Sequence, residues 1–108
     1  MSAYKTITLS RTGDGSLEFT PAVTKWNPAG FPANLQLSVS GLSGGTYDVH
    51  ILPAGDSAYR VAFVSATEAD LAVIAGKEAP LVEVLRVVVT GSGGGTVTAH
   101  LTMWERGI

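Results

Sequence analysis

Apolar and polar residues alternate along most of this chain with the period of two that is typical of β strands. Glycine- and proline-containing segments separate the alternating stretches, as turns do. The pattern predicts seven strands, over residues 3–11, 16–20, 35–40, 46–51, 58–64, 81–90 and 96–104.

One motif occurs twice, over residues 35–51 and again, 50 positions later, over residues 85–101. Seven positions coincide without a gap: Leu35/Leu85, Val39/Val89, Gly41/Gly91, Gly44/Gly94, Gly45/Gly95, Thr46/Thr96 and His50/His100. Each copy is an alternating run, a glycine-rich turn and a second alternating run, which is typical of a β-hairpin. We therefore expect two hairpins, one in each sheet or paired across a pseudo-twofold axis.

The period changes over residues 66–75. Ser65 is followed three residues later by Glu68, as in a capping box. Apolar residues then recur at helical spacing, and a glycine at position 76 stands where a helix would end. The sequence therefore predicts one short helix at about 66–75, with Leu71 and Ile74 docked on a sheet.

These elements predict the fold class. Residues 81–90 are apolar on both strand faces, which indicates a central strand. Residues 58–64 also carry apolar side chains on both faces, so we expect this strand to be covered on both sides. Short strands with regularly spaced turns are typical of a sandwich. We expect one all-β domain over residues 1–108, a two-sheet β-sandwich of about seven strands with one short helix.

Two segments carry candidate partner contacts. The loop at 21–34 holds three prolines with Trp26 and Phe31, aromatic residues that either cap the core or contact a partner. In the last strand His100 and Trp104 share the outward parity. This strand could also add to the sheet of a neighbouring chain.

Composition narrows the classes of partner. The net charge is −2 and only 15% of the residues are charged, with no basic cluster, so nucleic-acid binding is not expected. The chain has no cysteine, which excludes disulfides and favours a reducing cytoplasm. We expect no signal peptide at residues 1–5 and no membrane span, because the apolar runs are far shorter than about 20 residues.

No segment of the sequence matches a catalytic motif. Gly91-Ser92-Gly93 lacks the strand-to-helix context of a nucleophile elbow, and the glycine turns lack the lysine of a phosphate loop. His50 and His100 should both face outward, where they could share a divalent metal with Asp48 or simply face solvent. We expect both histidines to face solvent. We also expect no catalytic activity, no bound metal and no cofactor.

The whole chain resembles the small virion proteins of tailed bacteriophages. The resemblance lies in a short, Met-initiated, cysteine-free β-sandwich of low charge with Gly/Ser/Thr turns, and capsid decoration proteins are the closest type. It implies a non-catalytic homo-oligomer, often a trimer, that is made in the bacterial host cytoplasm and bound in the virion to the major capsid protein or another virion protein. A tail or neck component is the alternative. The residues we expect at contacts are Trp26, Phe31, His100 and Trp104.

A second resemblance is local. Residues 41–49, Gly-Leu-Ser-Gly-Gly-Thr-Tyr-Asp-Val, are similar to the turn and strand of fibronectin type III-like and carbohydrate-binding β domains. In those families this segment implies the fold and not the function. A carbohydrate- or protein-binding module is a further alternative function. Its sugar platform would draw on the aromatic residues Trp26, Phe31, Tyr47, Tyr59 and Trp104.

Overall fold

A computed structural model describes residues 4–20, 33–53, 55–74 and 82–105. These residues form eight strands and no helix. The strands are β1 (Tyr4–Thr12), β2 (Gly15–Phe19), β3 (Ala33–Ser40), β4 (Thr46–Pro53), β5 (Arg60–Ala66), β6 (Ala72–Ile74), β7 (Val82–Thr90) and β8 (Thr96–Glu105).

The strands form two antiparallel sheets that pack together. Sheet A has the order β1-β8-β3-β6, and sheet B has the order β2-β7-β4-β5. The inward side chains of both sheets form one core, as the alternation requires. The most deeply buried apolar residues are Phe19, Leu35, Leu42, Tyr47, Val49, Val82, Leu85, Val87, Val97, Ala99, Leu101 and Met103. The predicted all-β sandwich is confirmed.

The positions of individual strands correct two expectations. β7 is central, as predicted, with Leu85, Val87 and Val89 buried. β5 is an edge strand and is not covered on both faces, because Val61 and Val64 are 61% and 68% exposed. β8 lies between β1 and β3, so it has no free edge with which to extend a neighbouring sheet.

The predicted helix at 66–75 is wrong for residues 66–74, which the structure describes as the end of β5, a turn and β6. Ser65 has a left-handed backbone, with φ 55°, and its N–H donates to Asp48 Oδ1 at 2.8 Å. The Glu68 carboxylate accepts the N–H groups of Gly41 and Leu42. Both ends of the apparent capping box are therefore bonded to other elements.

A turn at Thr67–Asp70 takes the place of the helix. Asp70 Oδ2 accepts the Thr67 N–H at 2.7 Å, and the Asp70 N–H donates to the Thr67 carbonyl at 3.0 Å. The Tyr47 hydroxyl donates to the Asp70 carbonyl at 3.2 Å, which ties the turn to β4. Burial, with a smaller contribution from the Asp70 charge, raises the pKa of the Tyr47 hydroxyl.

The two repeats are not hairpins. β3 lies in sheet A and β4 in sheet B, while β7 lies in sheet B and β8 in sheet A. Each repeat is thus a β-arch, a strand-turn-strand unit whose two strands belong to opposite sheets. Leu42, inside the first turn, is fully buried between the sheets. In a hairpin, both strands would belong to the same sheet.

Every strand pairing among the described residues joins the N-terminal half (β1–β4) to the C-terminal half (β5–β8). The described pairs are β1–β8, β2–β7, β3–β6, β3–β8, β4–β5 and β4–β7. Exchanging β1–β4 with β5–β8 in order converts the strand order of sheet A into that of sheet B. The fold therefore has an internal pseudo-twofold axis, as one of the two expected arrangements of the repeats requires.

The two arches interlock through their glycines. A Cβ on Gly41 would lie 2.1 Å from the Thr96 carbonyl oxygen, and one on Gly45 would lie 2.6 Å from the Gly91 carbonyl. Gly41 also has a φ of +83°, which side chains disfavour. The backbones of the two turns pass too closely for any side chain at these two positions.

A carboxylate from a neighbouring loop binds the equivalent amides of each arch. Glu68 accepts the N–H groups of residues 41 and 42 in the first arch. In the second arch, Asp14 accepts those of Gly91 and Ser92 at 2.9 and 2.8 Å, and the Ser92 hydroxyl at 2.6 Å. These bonds, led by that from the Ser92 hydroxyl, lower the pKa of Asp14.

The interlock predicts unequal costs for two glycine substitutions. Gly41→Ala and Gly44→Ala both place a side chain at positive φ, but nothing lies within 4 Å of a Cβ at Gly44. Gly44→Ala should lower the free energy of unfolding by about 1 kcal/mol. Gly41→Ala should lower it by at least about 2 kcal/mol more, because the backbone of β8 must move. Urea titration measures both, and equal losses would contradict the interlock.

The Asp14 contacts predict a pH dependence. Because folding lowers the pKa of Asp14, its stabilisation is fully present above the ordinary aspartate value of about 3.9 and is lost as the pH falls through the folded value. Asp14→Asn should therefore lower stability at neutral pH and flatten the acid limb of the stability curve. Ser92→Ala should flatten it less, because two N–H donors remain. Parallel acid limbs for Asp14→Asn and the parent protein would refute this role.

Candidate contact surfaces

The outer side of sheet A carries short, uncharged polar side chains. We call it the hydroxyl face, and it comprises Thr6, Thr8, Ser10, Gln36, Ser38, Thr98, His100 and Thr102. Their neighbours along each strand point into the core, so the alternation that buries Ala99 and Leu101 turns His100 outward. Among the described side chains of this face, none carries a formal charge.

Cross-strand hydrogen bonds order the hydroxyl face. Thr6 bonds to Thr102 at 2.9 Å, and Ser10 bonds to Thr98 at 3.0 Å. Between these pairs, Thr8 Oγ1 lies 3.1 Å from His100 Nδ1. His100 is half-buried, and its Nε2 makes no hydrogen bond within the described part of the chain, so it can bond to a partner.

The outer side of sheet B has a different chemistry. Arg86 Nε donates to Glu18 Oε2 on β2 at 2.9 Å, and the guanidinium carbon lies 3.8 Å from the centre of the Tyr59 ring. His50 is paired in register with Arg86. We call Glu18, Asp48, His50, Tyr59 and Arg86 the charged face. Arg86 already has an anionic and an aromatic partner, so it is not a free anion site.

Large apolar side chains are exposed along one side of the sandwich. β1 and β2 contact each other on one side, so the strand orders place β5 and β6 at the opposite edges. Val61 and Val64 on β5 are exposed, as are Leu71 and Val73 at β6. We call these four residues the apolar edge. Val73 pairs with Gln36 in register and Val61 pairs with His50, so this edge borders the hydroxyl face on one side and the charged face on the other.

The structure describes the side chain of one of the four predicted contact residues. His100 lies on the hydroxyl face, as expected. Trp26 and Phe31 lie outside the described residues, and the backbone of Trp104 pairs with that of Tyr4 and Asn34 in sheet A. Contacts through these three aromatic side chains stay predictions. The apolar edge was not foreseen, because the strand at 58–64 was expected to be covered on both faces.

The two histidines do not form a joint site. His50 is on β4 of sheet B and His100 is on β8 of sheet A, so they face outward on opposite sides of the sandwich. The described residues contain no cluster of three or more His, Cys, Asp or Glu side chains that could hold a metal ion. The strand parity of both histidines was predicted correctly, but they do not lie on neighbouring strands.

Two other sequence candidates are buried. Ser92 is 1% exposed and its hydroxyl donates a hydrogen bond to Asp14, so it stabilises the second arch. Tyr47 is fully buried and cannot belong to a sugar platform. The Tyr59 ring has Arg86 against one face.

Comparisons with protein-family models, with curated proteins and with solved structures found no match for this chain. Within the part of the chain that the structure describes, no helix is long and apolar enough to cross a membrane. The functional argument therefore depends on the surfaces themselves.

The bonds of Arg86 predict a measurable but modest contribution to stability. Arg86→Leu removes a half-exposed ion pair and a ring contact and should cost about 1 kcal/mol. Arg60→Leu is the control, because Arg60 pairs with Asp56 but its side chain is 66% exposed and makes no ring contact with the described residues. It should cost less than about 0.5 kcal/mol in urea unfolding. An Arg60→Leu loss equal to that of Arg86→Leu would contradict this assignment.

Proposed function

We propose that this chain is a non-catalytic structural protein of a tailed-phage virion, a capsid decoration protein that associates with copies of itself and binds the capsid lattice. The observation that carries the proposal is the uncharged hydroxyl face bordered by an exposed apolar edge. One surface suits a polar lattice contact, and the other suits contact between copies.

The hydroxyl face fits a repeated contact on a lattice. Because this face carries no charged side chain among the described residues, it can approach another surface without the repulsion that like charges would create. Serine and threonine lose little side-chain entropy when they are fixed, so their hydrogen bonds are made at low cost. His100, at the middle of the face, offers Nε2 to a partner.

The apolar edge fits association between copies. Strand edges with exposed apolar side chains are sites of pairing, which proteins usually cover or charge. Val61 and Val64 lie on edge strand β5, and Leu71 and Val73 lie just before and on edge strand β6. The exposed Arg60 beside Val61 is already paired with Asp56. A homo-oligomer, such as a trimer, would cover the apolar edge.

The alternatives share part of this chemistry. A tail or neck component of the virion would use the same two surfaces against a different lattice. A carbohydrate-binding module would need exposed aromatic rings, and among the described residues Tyr47 is buried and Tyr59 is stacked on Arg86. The described surfaces therefore favour assembly over sugar binding.

The pseudo-twofold axis provides a matched test of the hydroxyl face. His100→Glu should weaken co-sedimentation with phage particles at least tenfold, because it places a charge at the centre of the proposed contact. His50→Glu introduces the same residue at the equivalent position on the charged face and should leave co-sedimentation unchanged. Thermal unfolding of both variants confirms that the fold is retained.

Solution size separates the proposal from the binding-module alternative. Light scattering on the parent protein should give a defined homo-oligomer, and electron microscopy should show the protein on the particles with which it co-purifies. A monomer that binds glycans on an array, or equal effects of the two histidine substitutions, would contradict the proposal.

A further inference from the structure

The two halves of the chain hold each other through strand pairing but are joined covalently at only one place. All six described pairings connect residues 4–53 with residues 60–105. The covalent connection is the loop from the end of β4 at Pro53 to the start of β5 at Arg60. None of the pairings requires that the two halves belong to the same molecule.

Residues 55–60, between β4 and the first residue of β5, are held mainly by local contacts. The Asp56 N–H donates to the Pro53 carbonyl at 3.0 Å, and Asp56 Oδ1 accepts the Ser57 N–H at 2.8 Å. Asp56 Oδ2 pairs with Arg60 at 2.9 Å. Gly55, Ser57 and Arg60 are exposed, and the Tyr59 ring contacts Arg86 on β7. Opening the loop would therefore break the local hydrogen bonds and this ring contact.

We propose that two copies of this chain can exchange halves, so that the N-terminal half of each pairs with the C-terminal half of the other in an intertwined dimer. The dimer preserves every strand pairing, both arches and the whole core twice over. Its free energy differs from that of two monomers by the loop conformation and by the entropy of association, so protein concentration and loop length set the balance.

The length of the loop decides whether one chain can close on itself. Ile51 pairs with Arg60, and Pro53 lies two residues beyond Ile51 along β4. With ordinary strand spacing and rise, the Cα atoms of Pro53 and Arg60 are about 8 Å apart. If residues 54–58 are deleted, Tyr59 alone joins these two residues, and two Cα–Cα links reach at most about 7 Å. To close on itself, the shortened chain must give up pairing at the end of β4 or the start of β5, whereas with a second copy it keeps every pairing.

A cysteine pair can report which molecule supplies each half. The natural chain has no cysteine. Ser10 on β1 and Thr98 on β8 are paired in register, and their side-chain oxygens are 3.0 Å apart, so S10C and T98C together are placed for a disulfide. The bond forms within one chain in the monomer and between two chains in the exchanged dimer. A non-reducing denaturing gel separates the two cases, whatever larger assembly the native protein forms.

The test compares three proteins that all carry S10C and T98C. The first has the natural loop, the second lacks residues 54–58, and the third has those five residues replaced by glycine and serine. We expect more than nine-tenths of the shortened chain to run as a disulfide-linked dimer that reductant converts to monomer. The glycine-serine protein controls for the Asp56 contacts, and it should give within-chain disulfides at low concentration, like the natural loop.

A second measurement uses the natural loop alone. Refolding from urea at increasing protein concentration, followed by oxidation, should raise the fraction of between-chain disulfide several-fold. A shortened chain that folds with a within-chain disulfide would overturn the proposal, as would one that fails to fold at every concentration. The proposal is also overturned if the natural loop gives no between-chain disulfide at any concentration.

Discussion

Backbone hydrogen bonding between the two halves of the chain is the constraint on which this structure depends. In the described residues, no strand pairs with another strand of its own half. Either half by itself would leave the N–H and C=O groups of its strands without sheet partners, at a high free-energy cost where they are buried. The sheets can therefore form only when distant parts of the sequence meet. The Thr8–His100 bond, for example, spans 92 residues. Such non-local pairing predicts slow folding.

The arches show how one framework can carry two different surfaces. Their turns interlock through glycine, and a carboxylate binds the first amides of each, Glu68 in one arch and Asp14 in the other. The outer faces differ around this common interior. Positions 36 and 98 are glutamine and threonine on the hydroxyl face, whereas the equivalent positions 86 and 48 are arginine and aspartate on the charged face. A contact specific to one face can therefore arise without disturbing the core.

The alternation of apolar and polar residues predicted the strands and their inward faces well. Burial of one strand face produces this alternation in the sequence, and it does so for any neighbouring strand. The alternation could not show which strands are neighbours, and so the arches were expected to be hairpins. In the first arch, Leu42 was a signal of this arrangement, because it is an apolar residue within a turn; the equivalent residue of the second arch, Ser92, gives no such signal. The helix prediction failed because the pattern of Ser65 and Glu68 is local, whereas their hydrogen-bond partners come from β4 and the first arch. For the site, parity predicted that His100 faces outward, but the apolar edge depends on strand order, which the pattern does not contain.

The most direct test of the interlocked halves is to cut the folded protein once. A protease site inserted in the β4–β5 loop, at residues 55–58, can be cleaved after folding. We predict that the two fragments stay together through size-exclusion chromatography, and that their urea midpoint rises with protein concentration, as expected for a two-chain assembly. Fragments that separate under native conditions, each keeping its β-sheet circular dichroism signal, would contradict the interlocked arrangement.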